Sequence, residues 1–230
     1  GGGGAGGAQR LQPRLVADAP GVRLHHLQDT TFQLPRGFAF FELRTPTVMA
    51  SPEAAILSEL YSGLLADSLL DDTAEASAAG LFAGVSVDSK GFTLSASGYD
   101  ERLPQLAATV ASQLKTFPLK TLDFDRRRAS LLDALANLEQ RQPVSLASYY
   151  RGLALETPRY SVEQLRVAAA AASLEKLADF QANLLPEVEL EALVCGNLRE
   201  AEALALPSNP TPPPFTLALA LALTLALALT

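Results

Sequence analysis

The sequence predicts an α+β fold: a two-layer sandwich in which a mostly antiparallel sheet carries a helical layer. Three observations predict it. Two runs near the middle of the chain alternate apolar with small or polar residues on either side of Asp88-Ser89-Lys90-Gly91, the pattern of a hairpin that packs on one face only. From Leu103 onward the apolar period becomes helical. A last alternating run, Val188 to Val194, returns to period two. Strands segregated from a helical block favour antiparallel pairing with the helices gathered on one side.

The elements follow in order. Phe38-Ala-Phe-Phe-Glu-Leu-Arg44 is rich in aromatics and reads as a buried strand. Ser51-Pro52-Glu53 is a helix start, with a serine cap, a proline where no N–H is needed and an acid in the first turn. Ile56, Leu57, Leu60, Leu64 and Leu65 recur at helical spacing behind it, and the pattern fades near Gly80. In the hairpin, Leu81, Ala83, Val85 and Val87 form one apolar face, continued by Phe92, Leu94 and Ala96. Four or five helices follow, the first marked by Leu103, Leu106, Val110 and Leu114 and the second by Phe124, Leu131, Leu135 and Leu138. Pro143 opens a third towards Leu155, and Ser161 and Ser173 are caps for two more. The final strand ends at Gly196-Asn197.

Both ends differ from this middle. Residues 1–23 read as a flexible lead-in because they open on a run of glycines, residues 24–206 as the folded domain, and residues 207–230 as a proline-rich linker with a Leu/Ala tail. From Phe215 the tail is 16 residues long, short of the roughly 20 that span a bilayer, with no aromatic belt or flanking positive charge. It reads either as a membrane-inserting segment or as low-complexity sequence, and it is set aside from the fold. No secretory signal is read at the N-terminus.

The chemical inventory is thin. A net charge of −7 over 230 residues argues against a nucleic-acid partner. One cysteine, Cys195, allows no internal disulfide. A catalytic zinc needs three protein ligands and an open position, but the only histidines are the neighbours His25 and His26, which point in different directions on any regular element. They read as surface or loop residues. There is no H-E-x-x-H, no H-x-x-E-H, no G-x-S-x-G and no Walker loop, so no catalytic, cofactor or metal residue is assigned. Arg126-Arg127-Arg128 is the one concentrated charge cluster. It reads as a patch that contacts an acidic peptide or a C-terminal carboxylate, or as a solvated helix face beside Asp123 and Asp125.

A series of short segments resembles one domain of the insulinase–pitrilysin zinc peptidases. Asp29-Thr-Thr-Phe-Gln-Leu-Pro35 resembles the family's D-x-x-F-x-x-P, and Phe41-Glu-Leu-Arg-Thr-Pro46 with Ser51-Pro52 its strand-to-helix junction. Leu64-Leu-Ala-Asp-Ser-Leu69, Ala78-Ala-Gly-Leu81 and Ser97-Gly-Tyr99 are similar to its L-L-x-D-S-L, A-x-L-A-G-L and S-G-Y. Gln142-Pro143 and Gly196-Asn197-Leu198 match its Q-P and H-G-N-L, with Cys195 where histidine is common. The order and spacing of these segments carry the specificity, and they resemble the third of four homologous domains.

The resemblance implies a non-catalytic, chamber-forming domain of a zinc metalloendopeptidase. The zinc would belong to the first domain of the parent, in an inverted motif on a helix whose counterpart here begins at Ser51 and carries Leu64, Leu65, Ala66, Asp67 and Ser68. The implied partners are the catalytic half of the peptidase and a peptide substrate. A free-standing inactive subunit and a membrane-associated binding protein are the alternatives. The Ala/Leu/Arg-rich composition suggests a bacterial source, with cytoplasm or periplasm as the expected compartment.

Overall fold

Strand β3, Arg36–Arg44, lies near the centre of a six-stranded sheet because both of its edges are hydrogen-bonded. The computed structural model describes residues 12–203 except 33, 100, 141, 185–187, 201 and 202. The Leu/Ala tail lies outside the described residues. Strands β1 (Arg14–Ala19), β2 (Val22–Gln28), β4 (Phe82–Val87), β5 (Gly91–Tyr99) and β6 (Glu189–Gly196) complete the sheet in the order β1-β2-β6-β3-β5-β4. Every neighbouring pair is antiparallel except β2 with β6. The mixed α+β architecture is therefore the one the alternation and helix periods predict.

The described helices all follow β3 and cover one side. Helix α1, Pro52–Ala78, starts where the sequence places it: Ser51 Oγ accepts from the Ala54 N–H at 3.0 Å, and Pro52 follows. Helices α2 (Leu103–Thr116), α3 (Thr121–Ala136), α4 (Pro143–Leu155), α5 (Val162–Ala171) and α6 (Leu174–Asn183) complete the layer. Ser161 and Gln164 form a reciprocal capping box at α5, and Ser173 caps α6.

Leu60, Tyr61 and Leu65 of α1 are fully buried against Phe92 of β5, Val110 of α2 and Leu177 of α6. A second cluster, around Ala39, Leu103, Val194 and Ala203, closes the other end of the sandwich. The hairpin register pairs Val87 with Phe92, Val85 with Leu94 and Ala83 with Ala96, so one apolar face continues across both strands as the alternation requires.

Three readings need correction. Strand β1 lies inside the segment read as a flexible lead-in, and β2 begins before residue 24. Pro20-Gly21 joins the two strands: Gly21 adopts a positive φ of 74° and turns β1 into β2. Secondly, β3 is central but not buried on both faces. Gly37, Ala39 and Leu43 face the helices, while Phe38 and Phe40 are 42% and 40% exposed on the other side. Thirdly, His26 is neither a surface nor a loop residue. It lies in β2, buried, with its Nε2 2.7 Å from the Leu198 carbonyl oxygen.

Candidate functional site

Helices cover one face of the sheet, and among the described residues the other face is open. Register defines its rows. Leu27, Cys195, Phe38, Ser97 and Phe82 are successive neighbours across β2, β6, β3, β5 and β4. The next row runs His25, Leu193, Phe40, Ser95 and Gly84. Phe38, Phe40 and Phe82 are exposed, and Leu27, Leu193 and Cys195 half-buried, so the two rows make a contiguous apolar band edged by small hydroxyl residues. A soluble domain seldom exposes such a band unless something binds there.

The band ends at a charged corner. Arg23, Glu191, Glu42 and Thr93 form the third row, and Arg44 stands opposite Glu189 in the fourth. Arg44 Nη2 is 2.6 Å from Glu191 Oε2 and 3.0 Å from Glu42 Oε2, and His25 Nε2 is 3.5 Å from Glu191 Oε1. Its hydrogen bond to Glu42 raises the Arg44 guanidinium above its usual value, aided by the charges of Glu42, Glu191 and Glu189 and opposed by desolvation. A small polar cavity of about 180 Å³ lies here, bounded by Asp18, Arg23, Arg44, Glu189 and Glu191. This corner can hold polar or charged groups; the band beside it can hold apolar side chains or an extended backbone.

The face offers little reactive chemistry. Burial raises the Cys195 thiol, which disfavours the thiolate that would act as a nucleophile. His25 points to the open face and His26 to the core, so adjacent positions on the strand separate the two imidazoles as the pleat dictates. No group of three His, Cys, Asp or Glu that could hold a metal ion occurs among the described residues. None of the described helices is long and apolar enough to cross a membrane.

Arg126, Arg127 and Arg128 lie on α3, in the helical layer, and do not converge on one point. Arg126 is the most exposed and pairs with Asp67 of α1 at 3.5 Å and Asp123 at 3.4 Å. The Arg127 guanidinium lies against Gly63 of α1, where any larger residue would displace it. Arg128 donates to the Ala172 carbonyl at 2.9 Å, pairs with Asp125 at 3.4 Å and sits 5.4 Å from the centre of the Phe124 ring. The three arginines thus tie α3 to α1 and to the end of α5.

The sequence did not single out the open-face band. Its signal is the offset between Phe38 and Phe40 on one parity and Gly37, Ala39 and Leu43 on the other. Both parities are apolar, so alternation alone cannot say which faces the core.

Comparison with known proteins places this geometry in a family. Residues 6–168 match the family model described as the middle or third domain of peptidase M16. The peroxisomal insulin-degrading enzyme-like 1 of Arabidopsis thaliana is 31% identical over 192 residues, which are 83% of this chain and 20% of that protein. Human insulin-degrading enzyme is 29% identical over 194 residues, covering 84% of this chain and 19% of the enzyme. The chain therefore spans about a fifth of the length of these relatives. The crystal structure of pitrilysin shares the fold, with a TM-score of 0.77 at 22% identity over 84% of this chain and 21% of that one. The chain belongs to the insulinase–pitrilysin peptidases, as a middle or third domain of that family.

Proposed function

We propose that this chain is a non-catalytic, chamber-forming domain of a zinc metalloendopeptidase, with the open face of its sheet turned towards the peptide. The observation that carries the reading is the band of Phe38, Phe40, Leu193 and Leu27 on that face, ending at the Arg44–Glu191–Glu42 corner. A chamber wall needs a surface that touches a peptide without reacting with it. Aromatic and aliphatic side chains on a rigid sheet supply sequence-tolerant contact, and the corner supplies polar selection at one end.

Helix α1 supports the silent role. Leu64 and Leu65 are buried in the core, and Asp67 is engaged by Arg126. In this reading the zinc and the bond cleavage belong to another domain of the parent. In this reading Arg126, Arg127 and Arg128, which lie in the helical layer and engage α1 and the end of α5, brace the helices, and peptide contact falls to the open face of the sheet.

The test is complementation. The chain is mixed with a separately expressed M16 catalytic domain, and hydrolysis of a fluorogenic peptide is followed. The chain alone is expected to bind no zinc and cleave nothing, and the mixture to cleave. Phe40→Glu is expected to raise KM several-fold in the mixture with little change in kcat, the signature of lost uniform binding. Stoichiometric zinc or peptide cleavage by the chain alone would overturn the proposal.

A further inference from the structure

The largest cavity described, about 750 Å³, opens in the helical layer and not on the sheet. Four separate stretches of chain wall it: the turn Pro46–Met49 with the start of α1, the β4–β5 turn, α3, and the run from Tyr149 of α4 to Leu165 of α5. Side chains far apart in sequence thus converge on one space, which is the form of a small-molecule site and not of a flat contact surface. Small residues make the room. Ala55 and Ser58 of α1 and Ala134 of α3 line it, at positions where larger side chains would fill it.

Its inner wall is apolar. Val48 and Ile56 are 1% and 3% exposed, and Met49, Leu135, Pro158 and Leu165 continue the lining. Water is poorly held against such a wall, because an ordered water needs roughly two to four polar partners. The Ser58 hydroxyl is already taken, donating to the Ala54 carbonyl at 2.8 Å. Two phenols of the lining keep half of their capacity. Tyr149 Oη accepts the Val162 N–H at 3.0 Å and donates to no group among the described residues. Tyr160 Oη donates to the Met49 carbonyl at 2.7 Å, which leaves its lone pairs to accept. The charged groups of the rim do not call for a charged ligand. Glu156 pairs with Arg159 at 2.9 Å, Asp88 Oδ1 takes the Lys90 and Gly91 N–H groups, and Glu59 is exposed to water. An anion would meet these carboxylates as like charges, and a cation would find none of them desolvated and free to receive it.

We infer that this cavity is a binding site for an uncharged small molecule with an apolar body and one hydroxyl or carbonyl group. The body displaces weakly held water from the wall formed by Val48, Ile56 and Leu135. The polar group accepts from the Tyr149 hydroxyl or donates to that of Tyr160. The site lies in the helical layer, so its occupation does not compete with contact on the open face of the sheet, and the inference stands independently of the peptide reading.

The experiment is equilibrium dialysis of the full chain against 2-naphthol, a fused aromatic body with one hydroxyl, alongside naphthalene and 2-naphthoate. Saturable one-to-one binding of 2-naphthol is expected, several-fold weaker binding of naphthalene, and the weakest binding for the anionic naphthoate. Ala134→Phe fills the cavity from an exposed helix position, so circular dichroism and the thermal midpoint should match the parent chain. It is expected to weaken 2-naphthol binding about tenfold or more. Ala55→Phe, from the α1 side, is the second filler should the first fold poorly. The sheet-face variant Phe40→Glu is expected to leave binding unchanged. Absence of saturable binding to the parent chain would overturn the assignment, and so would binding that survives both fillers. Loss of binding in Phe40→Glu with both fillers intact would move the probe to the open face of the sheet and overturn it as well. Naphthoate bound as tightly as naphthol would overturn the assigned ligand class.

Discussion

At Leu114 the last turn of α2 presents a carbonyl that the helix cannot satisfy, because the residue four positions on is Pro118, which has no N–H. Tyr61 of α1 supplies the donor: its hydroxyl bonds to the Leu114 carbonyl while its ring meets Phe92, Phe117 and Phe180 edge-on at 5.7, 5.2 and 5.8 Å. Tyr61→Phe keeps the ring contacts and leaves the carbonyl unpaired. Urea unfolding is expected to show a loss of about 1–3 kcal/mol. Burial also raises the Tyr61 phenol above its usual value of 10.0, with a smaller opposing effect from a hydrogen bond with Gln181. The sign follows from linkage. The unfolded tyrosine ionises from about pH 10 while the folded one keeps its proton, so this contribution is complete below that pH and is lost as pH rises above it. The stability gap between the parent chain and Tyr61→Phe should therefore narrow above about pH 10, and a gap that stayed constant would contradict the assignment.

Among the elements, the β4–β5 hairpin depends most on one residue type at one position. Asp88 Oδ1 accepts from the N–H groups of Lys90 and Gly91 at 2.7 and 3.2 Å, and Asp88 N–H donates to the Gly91 carbonyl at 3.0 Å. Gly91 has φ of 154°, and a Cβ there would collide with the carbonyl oxygen of Leu43 on the neighbouring strand. Gly91→Ala must strain the backbone and push apart β3 and β5, so a loss of at least about 2 kcal/mol is expected in the denaturation midpoint. The hairpin and the caps of α1, α5 and α6 were legible because their causes are local: alternation, a serine at the cap position, and a turn sequence with glycine at its end. Strand β1 was missed for the complementary reason. Arg-Leu-Val-Ala-Asp-Ala has no clean alternation, its pairing with β2 contains an irregularity between Leu15 and Ala17, and only the Pro20-Gly21 turn marks it.

Over the whole molecule, the last of the described strands occupies a central place in the sheet. β6 lies between β2 and β3, pairing Leu24 with Ala192 in parallel and Ala39 with Val194 antiparallel. Its inward residues Leu190, Ala192 and Val194 are buried in both core clusters. Without it the β1–β2 hairpin has no connection to the rest of the sheet. A chain ending before Glu189 is therefore expected to lose cooperative thermal unfolding, read by far-ultraviolet circular dichroism, and to bind a dye that reports exposed apolar surface. A sharp transition in that truncation would contradict the central role of β6. The pairing of β2 with β6 also closes a long stretch of chain, so this sheet cannot be complete until β6 has been placed.

By itself the sequence determined the fold class, the order of the elements from β3 to β6, the helix caps and the family, and it established that the two histidines cannot share an ion on a regular strand. These properties depend on residue types at short spacings, which the chain displays directly. Tertiary structure decided which face of β3 is covered, that His26 lies in the core, and that Arg126, Arg127 and Arg128 bind neighbouring helices at separate points. Each depends on register or on the position of another element, and a strand apolar on both parities carries no information about its neighbours. The family was thus legible in short segments of the sequence, whereas the open face of the sheet emerged only once β6 had been placed beside β3.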